Sequence, residues 1–166
     1  MHPVIQRIHE QLTRCGLTFT QPPLVVGGMA MEYHGLRPAG ADIDLIICDG
    51  DYQALAARFP DQRKDLYGDL GVVIDPFEIW RSIALFDYDY LGQGALETEG
   101  LRIIGLDRLL LMRVCAMDVE KYRRDLELMR SHYYRTRRNP AFSREAELHA
   151  AAYAKTHGLV WGGAYQ

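Results

Sequence analysis

Cysteine is scarce in this sequence, and what there is lies scattered: Cys15, Cys48 and Cys115 are far apart, and no CxxC or comparable metal-binding spacing occurs. Three isolated cysteines in apolar surroundings argue against a disulfide framework or a zinc knuckle. They predict reduced core thiols in an intracellular, cytoplasmic protein. Long apolar runs are missing too. No window approaches the roughly 18 apolar residues of a membrane span. The opening "MHPVIQRIHEQLTRC" is amphipathic and unlike the apolar core of a signal peptide, so no membrane partner is expected. Nor does either sign of charge dominate. With 19 Lys and Arg against 22 Asp and Glu the net charge is −3, which argues against a molecule whose whole surface grips nucleic acid. Internal repeats, low-complexity segments and linkers are also lacking.

What is present fits one domain of 166 residues, 48% hydrophobic, large enough to bury a core without staples. Apolar residues at 4, 5, 8 and 12, followed by Gly16, predict a helix over Val4–Cys15. "LVV" after Pro22-Pro23 predicts a short buried strand, and "MAMEYHG" a helical turn or two ended at Gly35. "RPAGA" reads as a loop and "DIDLIIC" as the clearest strand. Asp51 is expected to cap a helix over Tyr52–Phe59. "GVVIDPF" reads as a further strand, with Pro76 marking an edge or its end. "DYDYLGQGALETEG" reads as loop and hairpin and "LRIIG" as a strand, before helices at Leu106–Met117, Val119–Tyr134 and Ala141–Thr156. The expected class is α/β or α+β: a small mixed sheet flanked by helices, with a helical C-terminal part. Residues 1–117 would form the core, with 118–166 as helices packed on it in a single compact unit.

The chemistry concentrates in "VVGGMAMEYHGLRPAGADIDLII". Residues i and i+2 of a strand point to the same face, so Asp42 and Asp44 project together while Ile43 and Leu45 enter the core. Two parallel carboxylates repel and raise each other's pKa unless a cation lies between them. Mg²⁺, which takes one or two carboxylates plus phosphate oxygens, would resolve the conflict. The plainer alternative is a pair of solvated strand-end acids. Upstream, Gly27 and Gly28 join a strand to a helix, where open amides suit a phosphate, although a tight turn alone would also require glycine. A third carboxylate is expected from a neighbouring strand. Asp75 is the candidate and Glu78 its substitute if Asp75 points away; Asp69 reads as a turn residue. His34 reads as packing or orienting the loop. Trp80, Tyr88 and Tyr90 could stack a base or could be core, and Gly92-Gln93-Gly94 is too short a motif to use. Arg113–Arg138 holds eight Lys or Arg and four Asp or Glu, either the solvated face of a long helix or a basic wall for phosphates.

These residues resemble the nucleotidyltransferase fold of the DNA polymerase β superfamily, whose pattern is an apolar residue, Gly, Gly or Ser, a spacer, and Asp-apolar-Asp. Here it reads Val26-Gly27-Gly28, thirteen residues, then Asp42-Ile43-Asp44. More narrowly, the stretch is similar to a bacterial subgroup that includes the abortive-infection type toxin nucleotidyltransferases, with matches at Ala30, His34, Gly35, Leu36, Arg37 and Leu45. Likeness is strong over about residues 20–48 and looser to about residue 130. Three positions depart from the subgroup. Gly40 replaces a threonine, Arg113 replaces a lysine, and Lys121 is followed by "YRRD" where the subgroup has an immediate aspartate.

The resemblance implies transfer of a nucleoside monophosphate from an NTP to a hydroxyl. Asp42, Asp44 and Asp75 would be the catalytic and metal-binding acids for two Mg²⁺ ions, with Asp75 taking the hydroxyl proton. Gly27 and Gly28 would meet the β- and γ-phosphates, and Arg37 and Lys121 would face the pyrophosphate or the acceptor. The expected acceptor is tRNA or a protein ahead of a small molecule such as an antibiotic, with a cognate antitoxin as a possible partner. The competing expectation is a nucleotide- or partner-binding module without turnover.

Overall fold

In the computed structural model the described residues are 1–116, 118–136, 148, 152 and 155. The chain divides into two compact units, Met1–Leu128 and Met129–Gln166; the sheet and all candidate site residues belong to the first. The expected helix Ala141–Thr156 lies outside the described residues, apart from Leu148, Ala152 and Lys155, which are helical.

The chain opens with α1 (Pro3–Cys15), as its apolar spacing predicts. His2 Nδ1 accepts from the Val4 amide at 3.2 Å, Pro3 supplies a preset φ, and Gly16 closes the helix at φ +62°. Its apolar stripe of Val4, Ile5, Ile8 and Leu12 is buried. At about 1.5–3 kcal/mol for each large aliphatic side chain, that stripe is what holds the helix in place.

Then come β1 (Leu24–Val25), α2 (Gly27–Tyr33), β2 (Ile43–Ile46) and α3 (Asp49–Arg58). Asp51 does not cap α3 as expected. The helix starts at Asp49 after Cys48, and Asp51 instead accepts from the Thr20 amide (2.9 and 3.0 Å) and the Gln21 amide (3.3 Å). A 3₁₀ turn (Pro60–Gln62) leads to β3 (Arg63–Leu66), β4 (Asp69–Ile74) and β5 (Phe77–Trp80). The single strand expected at "GVVIDPF" is therefore two antiparallel strands folded back at Asp75-Pro76. Proline cannot donate to a ladder, so the chain turns there.

Next are β6 (Ser82–Ile83), β7 (Phe86–Asp87), α4 (Tyr88–Leu91), β8 (Leu96–Thr98), β9 (Leu101–Ile103), α5 (Leu106–Cys115) and α6 (Glu120–Thr136). Asp69 begins β4; its carboxylate accepts from Ser82 Oγ and the Ala84 and Leu85 amides, fixing the β6–β7 hairpin.

The main sheet has seven strands in the order β3-β4-β5-β2-β1-β9-β8. It is mixed: β2 runs parallel to β5 and β1 parallel to β9, and the other pairs are antiparallel. With six α-helices among the described residues, the fold is the mixed α/β class expected. The centre is apolar: Ile43, Leu45, Phe77 and Ile79 are at most 1% exposed. The three cysteines are free, but they are not core thiols: Cys15 and Cys48 are half-buried and Cys115 is exposed. No helix among the described residues is long and apolar enough to cross a membrane.

Candidate active site

The site is built where β1 turns into α2 and β2 begins. β1 and β2 are antiparallel, and the Val26 amide donates to the Asp44 carbonyl at 3.1 Å. This pins the end of one apolar strand to the start of the other. Gly27 follows at φ +59°, and a Cβ there would overlap Asp44 Oδ2 and stand 2.8 Å from its Cγ. The first glycine of the pair therefore exists to seat the aspartate carboxylate as well as to make the turn. Gly28 is different. A Cβ there would lie 3.6 Å from the Gly40 amide nitrogen and 3.7 Å from Ala39, which is ordinary contact. The loop between glycines and acids thus folds back over Gly28. Glu32 anchors that loop by accepting from the Ala39 amide at 2.7 Å and from Arg7 at 3.0 Å. The Ala39 amide, helped by Arg7, holds the Glu32 carboxyl below the ordinary carboxylate range.

Asp42 is exposed and Asp44 half-buried. No described residue donates a hydrogen bond to the Asp44 carboxylate. Burial pushes its pKa up, and the charges of Glu78 and, less strongly, Asp42 add to the rise; Arg113 and Lys121 oppose it. The parallel register explains Glu78. Ile43 faces Phe77 and Asp44 faces Glu78, so the two acids stand side by side on one face of adjacent strands.

Asp75 sits exposed in the β4–β5 turn, where its carbonyl accepts from Arg14 at 3.4 Å and from the Cys15 thiol at 3.7 Å. The acid that strand register sets beside Asp44 is the substitute, Glu78. The sequence signal that could have favoured it is alternation: in "PFEIW" the buried Phe77 and Ile79 flank Glu78, as Ile43 and Leu45 flank Asp44.

Arg37 is not open to a phosphate. Its Nε and Nη2 reach Asp125 Oδ1 and Oδ2 at 2.6 and 3.0 Å, and its Nη1 donates to the Pro38 carbonyl at 3.0 Å. The Asp125 hydrogen bond raises the guanidinium's proton affinity. Lys121 is exposed on α6, and its charge reaches Asp44. Asp125, missed in the sequence, is the acid of the "KYRRD" stretch; four residues after Lys121, it shares that helix face. Glu32 and Asp125 were legible only as polar residues on helices, because their partners lie 7 to 88 positions away in the chain.

The remaining candidates are structural. Trp80 and Tyr88 are buried, with the Tyr88 hydroxyl donating to the Pro22 carbonyl; Tyr90 stacks on Phe86 at 4.7 Å. His34 Nε2 lies 2.8 Å from the Ile104 carbonyl oxygen, tying α2 to the segment after β9. On α6, Arg123 and Arg124 both pair with Glu120 at 3.2 Å, which is the solvated-face reading of that charge run. A cavity of about 380 Å³ between α1, the 17–23 segment and the β8–β9 turn contains none of the acids.

Among the described residues, no three His, Cys, Asp or Glu side chains are gathered closely enough to hold a metal ion as they stand. Glu78 leans to Lys64, whose Nζ is 3.9 Å away. The donor chemistry nevertheless fits a hard divalent cation. Asp42, Asp44 and Glu78 offer oxygen ligands, Asp44 has no hydrogen-bond donor among the described residues, and the like charges of Glu78 and Asp42 bear on it. No protein-family model, curated protein or solved structure matches this chain.

Proposed function

We propose that this protein is a nucleotidyltransferase that moves a nucleoside monophosphate from an NTP to an acceptor hydroxyl. One observation carries the reading: a half-buried aspartate without a hydrogen-bond donor among the described residues, seated against a side-chain-free Gly27 and in register with a second acid on the neighbouring strand. A structural carboxylate is normally satisfied by donors. A cation would supply what those donors do not.

Asp42, Asp44 and Glu78 would hold Mg²⁺, which when bound neutralises the charge of the phosphates. The chain's own residues then supply position. Ala30 is the first amide of α2 with an acceptor inside the turn, the Val26 carbonyl at 3.3 Å. The amides of Gly27 and Gly28 precede it and would be left to meet the phosphate chain. In the reaction the acceptor oxygen bonds to the α-phosphorus, the bond from that phosphorus to the bridging oxygen breaks, and pyrophosphate leaves with the electron pair. The hydroxyl proton goes to a carboxylate, and Glu78 takes the role expected of Asp75. Lys121 is the cation left for the leaving group, since Arg37 is engaged by Asp125.

The test is incorporation of label from α-labelled NTP into tRNA, protein or aminoglycoside pools with Mg²⁺. Asp44→Asn is expected to reduce it to background; undiminished labelling by that variant would remove the assignment. The engagement of both Arg37 and Arg113 by Asp125 favours one other reading, a nucleotide-binding module without turnover. In that case NTP with Mg²⁺ raises the melting temperature while no pyrophosphate is released with any pool.

A further inference from the structure

Among the described residues the deepest charges are not at the acid pair. Asp125 is 1% exposed and Arg113 5%; they lie on α6 and α5, and Arg37 joins them from the loop after α2. Arg37 makes the paired contact already described. Arg113 Nε stands 2.9 Å from Asp125 Oδ2, but it is not aligned to donate and has no hydrogen-bond acceptor. The Arg113 guanidinium lies 4.6 Å from the Tyr122 ring centroid. One carboxylate thus answers two guanidiniums, and the trio keeps one net positive charge. Buried ion groups of this kind are weak contributors to stability, because desolvation offsets their attraction. Their placement points to the site instead: through Arg37, Asp125 holds the start of the loop whose Ala39 and Gly40 fold over Gly28 and which leads to Asp42, and the charges of Arg113 and of Lys121, one helical turn before Asp125, bear on Asp44.

From this geometry we infer that Asp125 is a positioning residue for the acid cluster: it holds Arg37 and Arg113 to itself and so keeps Asp44 open to a divalent cation. The inference rests on the metal-binding reading given above. Without Asp125, two largely buried guanidiniums lose their shared carboxylate. Arg113 would then turn to Asp44, the other acid its charge reaches, and compete with the cation for it. Asp125 acts through the arginines and touches neither cation nor nucleotide.

The experiment is direct Mn²⁺ binding to the full chain, read by calorimetry or by the electron paramagnetic resonance of free Mn²⁺, with circular dichroism melting as the folding control. Asp125→Asn is expected to weaken Mn²⁺ about ten- to a hundredfold, the range for partners that orient a metal site. Adding Arg113→Met to that variant is expected to restore binding, because the competitor is gone. A merely structural role predicts no such rescue. Unchanged Mn²⁺ affinity in folded Asp125→Asn, or a double variant as weak as the single one, overturns the inference and leaves the function standing. If Asp125→Asn does not fold, Arg113→Met alone decides: binding at least as tight as wild type supports the inference, and weaker binding overturns it. A wild-type chain that binds no Mn²⁺ overturns the metal-binding reading itself.

Discussion

Asp44 and Asp51 lie seven positions apart and meet opposite fates. Asp51 is buried, and the Thr20 and Gln21 amides bring its pKa below the ordinary range despite the opposing cost of burial. Asp44 has no donor among the described residues, lies against Gly27 and has Glu78 opposite it, and its pKa is pushed up. The first carboxylate fastens a loop to a helix; the second is held against its own electrostatic preference. An acid that costs the fold something and is still enclosed by a glycine marks a site more clearly than any cluster of satisfied acids.

That contrast breaks most visibly in activity. Beyond the loss of labelling with Asp44→Asn, Glu78→Gln is expected to lower turnover roughly a hundredfold or more, the usual worth of a positioned acid–base group. Asp75→Asn, in the exposed turn, should leave turnover near wild type. Steady-state incorporation rates compare the two, and the reverse order would return the third acid to Asp75.

The glycine pair sharpens the contrast next. Gly27→Ala forces a Cβ into the Asp44 carboxylate at positive φ, so it should abolish labelling and also cost roughly 1–2 kcal/mol of backbone strain. Gly28→Ala meets only ordinary contacts and should shift stability by about 0.5 kcal/mol or less. Denaturant titration beside the labelling assay separates the two effects.

Stability should show the opposite pattern at the two aspartates. Asp51→Ala leaves two amides without their acceptor and is expected to cost about 1–3 kcal/mol. Asp44→Asn should leave the melting temperature unchanged or raise it.

The smallest expected effect is on the pH profile. Asp51's folded pKa is lowered, so its contribution is present above the unfolded carboxylate value and is lost as pH falls through the folded one. Asp44's is raised, so its penalty is absent at low pH and grows as pH rises from the unfolded value through the folded one. Melting curves from acid to neutral pH should show the Asp51→Ala deficit shrinking toward acid and any Asp44→Asn gain growing toward neutrality.

The sequence by itself determined the local periodicities and the breaks between them. The apolar stripe of α1 with Gly16 at its end, the alternation that sends Ile43 and Leu45 into the core and Asp44 to the other face of β2, and the glycine pair at a strand-to-helix turn were all legible, because they depend on neighbours within a few residues; Asp42, expected on the same strand, lies just before it. Only the tertiary structure decided what those groups meet. Asp75 went to a turn because an Asp-Pro step folded one expected strand into two, and register, a property of two paired strands, set Glu78 beside Asp44. Arg37 and Asp125 are 88 positions apart, and no local pattern links them. Their pairing follows from packing, since a carboxylate buried as deeply as that of Asp125 without a cation costs more than the chain can tolerate.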